Sequence, residues 1–173
     1  EYTDTGFTIV FNNCVVNGTE NVNGTLTAVY SNDSNGATFT TTFEDFYYGT
    51  IKLDGTRSFT FNTNAEEGTI SFSVVSNMVV ELEDGSEMSE QGTKTFRLIF
   101  GNSLENTIYE LYGTWTVNAN DNTYEVVGSL LEGNLACGYI TNGLMNIEKN
   151  DLVFTVDFGE GECDDVATLE YPD

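Results

Sequence analysis

Apolar and polar residues alternate with period two along most of this chain, in short runs bounded by glycine, asparagine and aspartate. That alternation is the mark of strands with one buried face, because successive side chains of a strand point to opposite sides. Phe7–Phe11 is the first run. Gly24–Tyr30 places Leu26, Ala28 and Tyr30 on one face, and Ala37–Phe43 does the same for Phe39, Thr41 and Phe43. No sustained i, i+3, i+4, i+7 apolar stripe occurs, and Gly, Asn and Thr interrupt every window long enough to hold one. Turns are predicted at Asn17-Gly18, Asn32–Gly36, Asp54-Gly55, Asp84-Gly85 and Asn118–Asn122.

Between these turns Phe46–Leu53 reads as a strand that returns as Arg57–Asn62. Ile70–Glu83 is the longest strand-like stretch, with a bulge or bend expected at Ser76-Asn77. Thr93–Phe100 carries Phe96, Leu98 and Phe100 on one side; Thr107–Val117 and Thr123–Leu131 follow. Leu144–Ile147 and Leu152–Phe158 close the series as a hairpin about Glu148–Asp151. About a dozen short strands with tight turns specify a single all-β domain over 1–173, an antiparallel meander. A β-sandwich, a closed barrel and an open curved sheet all satisfy the pattern. Proline occurs only at Pro172, so acidic residues or loops must guard the sheet edges.

Composition narrows the partners. The chain has 28 Asp and Glu against 5 Lys and Arg, a net charge of −23. The cations (Lys52, Arg57, Lys94, Arg97 and Lys149) form no run in the sequence, so nucleic-acid binding is excluded and anionic lipid is disfavoured. The simplest meaning of the charge is a soluble, non-associating surface. There is no histidine, which removes Ser-His-Asp and Cys-His catalysis and the usual zinc and haem ligands. No apolar run reaches membrane-spanning length.

Cys137 and Cys163 stand just outside the two runs of the last hairpin, so pairing of those runs brings them to neighbouring strand ends, where a disulfide can close the loop. Cys14 is left over and reads as a buried free thiol in a strand. The turn beginning at Asp157 carries Glu160, Glu162 and Asp164 with two interspersed glycines. It reads first as a solvated acidic turn; as a metal site it would suit calcium, which takes oxygen ligands in flexible geometry, though it lacks EF-hand spacing. No other cofactor is expected. With so many acidic residues, no carboxylate pair is singled out for glycoside hydrolysis, and no catalytic residue is assigned. Tyr47-Tyr48 and the Tyr109, Tyr112, Trp115 series suit sugar stacking, but strand aromatics belong first to a core. Asn17, Asn23 and Asn32 fit glycosylation acceptors and read here as turn sequences.

The segment from Cys137 onward, with Gly143, Asp157, Phe158, Gly159, Gly161, Cys163, Asp164, Ala167 and Thr168 in place, resembles the ending of a group of envelope proteins from Bacteroidetes-type bacteria. Phe11–Thr25 is similar to the amino-terminal half of that group. The resemblance implies a secreted or lipid-anchored surface protein with a Cys137–Cys163 bridge, an anchor upstream of Glu1, and a chain slightly longer than this one. It implies no activity.

The expectation is therefore a non-enzymatic extracytoplasmic protein at the outer cell surface, structural, adhesive or ligand-binding. Its partners would be other extracellular molecules or copies of itself, as in a fibre whose edge strand, Tyr2–Phe11, completes a neighbour's sheet. A carrier holding an apolar molecule in an open barrel is the alternative. A carboxylate-based glycoside hydrolase is a third.

Overall fold

The computed structural model describes residues 1–33 and 36–171. Among these, twelve strands follow one another: β1 (Tyr2–Thr3), β2 (Gly6–Val16), β3 (Thr19–Asp33), β4 (Gly36–Tyr48), β5 (Ile51–Asn64), β6 (Thr69–Glu81), β7 (Glu87–Ile99), β8 (Ile108–Ala119), β9 (Asn122–Asn134), β10 (Asn142–Lys149), β11 (Leu152–Glu160) and β12 (Thr168–Glu170). They form one antiparallel sheet whose spatial order equals chain order, with β1 and β12 at opposite edges. The all-β meander expected from the alternation is what forms, and it does not close into a barrel.

The pairing register divides the side chains into two faces. Phe7, Ala28, Thr41, Arg57, Ser76, Gly92, Trp115, Val126, Ile147 and Phe154 lie opposite one another from β2 to β11. Tyr30, Phe39, Phe59 and Val74 flank that row on the same side, the aromatic face. On the reverse, Thr8, Thr27, Thr42, Thr56, Asn77, Gln91 and Thr116 align. Neighbouring hydroxyls of this second face bond across strands: Thr8–Thr27 at 3.1 Å, Thr38–Thr60 at 3.1 Å, Thr40–Ser58 at 2.8 Å and Ser73–Thr95 at 2.9 Å. Such cross-strand pairs help to stabilise a sheet.

One layer leaves little core. The buried apolar residues among those described are Val22, Ala28, Phe46, Met78, Val126 and Leu131. The molecule exposes 10983 Å², whereas a compact monomer of 19.0 kDa would expose roughly 8,400 Å².

Several turns fall where the sequence places them. Asn17-Gly18, Asn120-Asp121 and Asn150-Asp151 all have positive φ at both residues, as two-residue hairpin turns that match strand twist require. The predicted Glu148–Asp151 turn thus shortens to Asn150-Asp151. The tip of the Asn32–Gly36 connection lies outside the described residues, as does Pro172.

Asp54-Gly55 is not a turn. It lies within β5, and the chain reverses instead at Gly49-Thr50. Gly55 stands opposite Phe43 beside a bulge whose extra residues include Asp45 (φ 45°). Asp54 Oδ1 accepts the Asp45 N–H at 2.6 Å, and Lys52 bridges both carboxylates at 2.7 and 3.2 Å, which raises the lysine's pKa. Gly55 has φ +118°, and a Cβ there would lie 2.1 Å from the Asn77 carbonyl oxygen. The Asp-Gly pair therefore permits a bulge and a close strand approach. Gly55→Ala should cost about 2–3 kcal/mol, read as a lower urea midpoint, through strain and displaced backbone.

Other expectations also change. Ser76-Asn77 pairs continuously with β5 and β7, with neither bulge nor bend. Tyr2–Phe11 is not one edge strand: β1 folds back so that Tyr2 pairs with Phe7. Asn23 lies inside β3 opposite Tyr47, not at a turn, and Phe100 lies beyond the end of β7. Cys14 is half-buried on β2, not buried.

Candidate functional site on the aromatic face

In a meander, alternate connections meet at the same end of the sheet. The β9–β10 and β11–β12 connections do so, and Cys137 and Cys163 are joined there as a disulfide with Cα atoms 5.7 Å apart. Asn134 Oδ1 accepts the N–H groups of Ala136 and Cys137, and the Tyr109 hydroxyl donates to the Tyr139 carbonyl at 2.5 Å, fixing the first connection over the sheet.

The acidic turn is arranged for its own backbone. Asp157 Oδ1 accepts the Gly159 N–H and Asp164 Oδ1 accepts the Val166 N–H. Asp157, Glu162 and Asp164 border a cleft of about 160 Å³, while Glu160 pairs with Asn142 on β10. Among the described residues no three His, Cys, Asp or Glu side chains converge closely enough to hold a metal ion.

Charge is divided between the faces. At paired strand positions, Glu44, Glu81, Glu110, Glu125, Glu148 and Glu170 stand with the hydroxyl rows, whereas the carboxylate on the aromatic side is Glu90. Three cations, Arg57, Lys94 and Lys149, share that side. Arg57 Nη2 lies 3.4 Å and Lys94 Nζ 2.6 Å from the two Glu90 oxygens, so cations scattered in sequence meet at one carboxylate. Lys94 also sits 4.7 Å from the centre of the Trp115 ring, and Lys149 sits 5.3 Å from that of Tyr124. Gly92 makes room for Trp115, since a Cβ there would approach the Trp115 Cβ to 2.6 Å.

Burial alone would raise the Glu90 pKa, but hydrogen bonds from Lys94 and Ser76 and the charges of Lys94 and Arg57 outweigh it and hold the carboxyl below its ordinary 4.5. A depressed folded pKa gives stability that is complete above the ordinary value and lost as the pH falls through the folded one. The stability advantage of wild type over Glu90→Gln should therefore be full at neutral pH and shrink below pH 4.5, measured by urea unfolding across pH.

Around this cluster the rings form ladders. Phe39 lies 5.3 Å from Tyr30 and 6.1 Å from Phe59 at interplanar angles of 31° and 34°. Phe96 lies 4.9 Å from Phe72 and 5.9 Å from Tyr109, at 32° and 17°. Each inner ring thus has neighbours against its flanks. Tyr30, Ala37, Phe39, Phe59 and Phe61 border an open apolar hollow of about 530 Å³. The suggested Tyr109, Tyr112, Trp115 platform does not assemble: Tyr109 and Trp115 share the aromatic face, while Tyr112 pairs with Thr95 among the hydroxyls.

The Arg57, Glu90, Lys94 cluster is absent from the sequence-based candidates. A signal exists, because Arg57 is in phase with Phe59 and Phe61, and Lys94 with Phe96 and Leu98. Charges at apolar-phase positions are where an otherwise greasy face becomes specific. No protein-family model, curated protein or solved structure matches the chain.

Proposed function

We propose that this chain is a non-enzymatic extracytoplasmic protein of the outer cell surface, with a structural or adhesive role performed by the aromatic face of its sheet. The observation that carries this reading is that face itself: broad, rich in phenylalanine, poor in carboxylates and covered by no second layer. Contiguous exposed apolar surface of this kind marks interaction sites. The disulfide favours an oxidising compartment. Among the described residues no helix is long and apolar enough to cross a membrane.

Hydrolysis finds less support. A general acid needs a raised pKa, whereas Glu90, the carboxylate of the aromatic face, is held down by two cations. A carrier role has one observation in its favour, the hollow beside Phe59 and Phe61. Ligand pockets, however, enclose most of their ligand, and this one lies open.

The test uses the native protein on its producing cells. A membrane-impermeant label should reach it on intact cells, and the unfolded, unreduced chain should show one free thiol, from Cys14. A cytosolic protein with three free thiols would overturn the reading. Phe61→Glu/Phe72→Glu should be exported and disulfide-bonded yet lose retention at the surface; unchanged retention would remove the aromatic face from the role.

A further inference from the structure

We infer that the aromatic face is the docking surface for a second copy of this chain, the two sheets packing face to face on Tyr30, Phe39, Phe59, Phe61, Phe72 and Phe96. This rests on the preceding reading that the face performs the protein's role, and it names the occupant.

Area is the first argument. The chain exposes about 2,600 Å² more than a compact monomer of its mass; if the sheet's two faces share this surplus equally, one face from each of two copies together holds roughly 2,600 Å². Stable homodimers bury about 2,000–5,000 Å² in total. A small apolar ligand is too small to use this surface.

Ring geometry is the second. Stacking of a sugar needs an aromatic face presented to solvent. Here Phe39 stands between Tyr30 and Phe59, and Phe96 between Phe72 and Tyr109, so neighbouring rings crowd the flanks of the inner ones. Side-by-side rings of this kind suit interdigitation with another apolar layer, as between two sheets about 10 Å apart.

Charge is the third. Each copy carries −23, and repulsion opposes any association. Facing the aromatic sides turns the hydroxyl faces with their carboxylates outward and brings together the side where Glu90 is already bound by Arg57 and Lys94. That cluster continues the Phe39–Phe59–Val74 row at Lys94, so it enters the contact as a carboxylate already paired with two cations.

The test is sedimentation velocity and light scattering of the full chain up to about 100 µM at low and high salt. Wild type should show twice the 19.0 kDa chain mass, and added salt should tighten the pair by screening the repulsion. Phe61 and Phe72 are 45% and 36% exposed in one copy, so glutamates there are solvated in the monomer and desolvated only in the pair. Phe61→Glu/Phe72→Glu should weaken dimerisation at least about 100-fold, with circular dichroism and the 137–163 disulfide unchanged. Thr56→Glu, on the hydroxyl face, should leave the dimer intact. A wild-type monomer throughout, a dimer that survives the double substitution, or equal loss with Thr56→Glu overturns the inference. A monomer that retains a long-chain fatty acid or a soluble glucan, and loses it in the double variant, overturns the second copy but keeps the functional face. A monomer without surface location or face-dependent retention removes both.

Discussion

Replacing Arg97 with methionine should destabilise the protein by about 3–5 kcal/mol, the largest effect expected of any single side chain here. Arg97 Nε and Nη2 both lie 2.5 Å from Glu110 Oε2, and the Glu110 side chain is only 6% exposed while Arg97 is 36% exposed. Removing the guanidinium strands a buried carboxylate with no opposite charge. For a chain of this length the loss corresponds to a melting temperature lower by about 10 °C. Arg97→Met/Glu110→Met should return to within about 1 kcal/mol of wild type, because removing both charges also removes their desolvation. A double-mutant cycle of Arg97→Met, Glu110→Met and the pair, followed by urea unfolding, measures the coupling. A double variant no better than the single would show that Arg97 acts by packing alone.

The second large effect belongs to the clamp between Cys137 and Cys163. It closes a sequence separation of 26 residues, and loop closure of that size contributes about 3.5 kcal/mol by restricting the unfolded chain. Cys137→Ala/Cys163→Ala should accordingly melt about 10 °C lower. The loss should concentrate in β10–β12, since the bond ties the connections on either side of the β10–β11 hairpin and β12 is a short edge strand. Hydrogen exchange should show faster opening of those strands, with β4–β7 barely changed. A melting shift under about 2 °C would sink the view that the bond, and not strand pairing, holds this edge.

How much of this was legible beforehand can be argued residue by residue. Alternation placed Leu26, Ala28 and Tyr30 on one face because strand periodicity is local and needs no tertiary context. Asn17-Gly18 and Asn150-Asp151 announced their turns because few residues tolerate successive positive φ. The pair at Cys137 and Cys163 was readable because a hairpin between two cysteines leaves them at adjacent strand ends. Asp54-Gly55 misled for the opposite reason. The same freedom at positive φ serves a turn or a bulge, and the partner strand makes the choice. Asp157, Glu160, Glu162 and Asp164 looked alike in sequence, yet the bulge near Gly159 sends Glu160 toward Asn142, away from the other three.

By itself, then, the sequence determined an antiparallel meander of strands, its principal turns, its sulfur clamp and its strongly anionic character, all of which follow from spacing and composition. Tertiary structure alone decided that the sheet stays open in a single layer, that its carboxylates gather on the hydroxyl face, and that Arg57 and Lys94 share Glu90. Register is the physical reason. Which residues stand opposite one another depends on every bulge between them, and a shift of one position carries a side chain to the other face of the sheet.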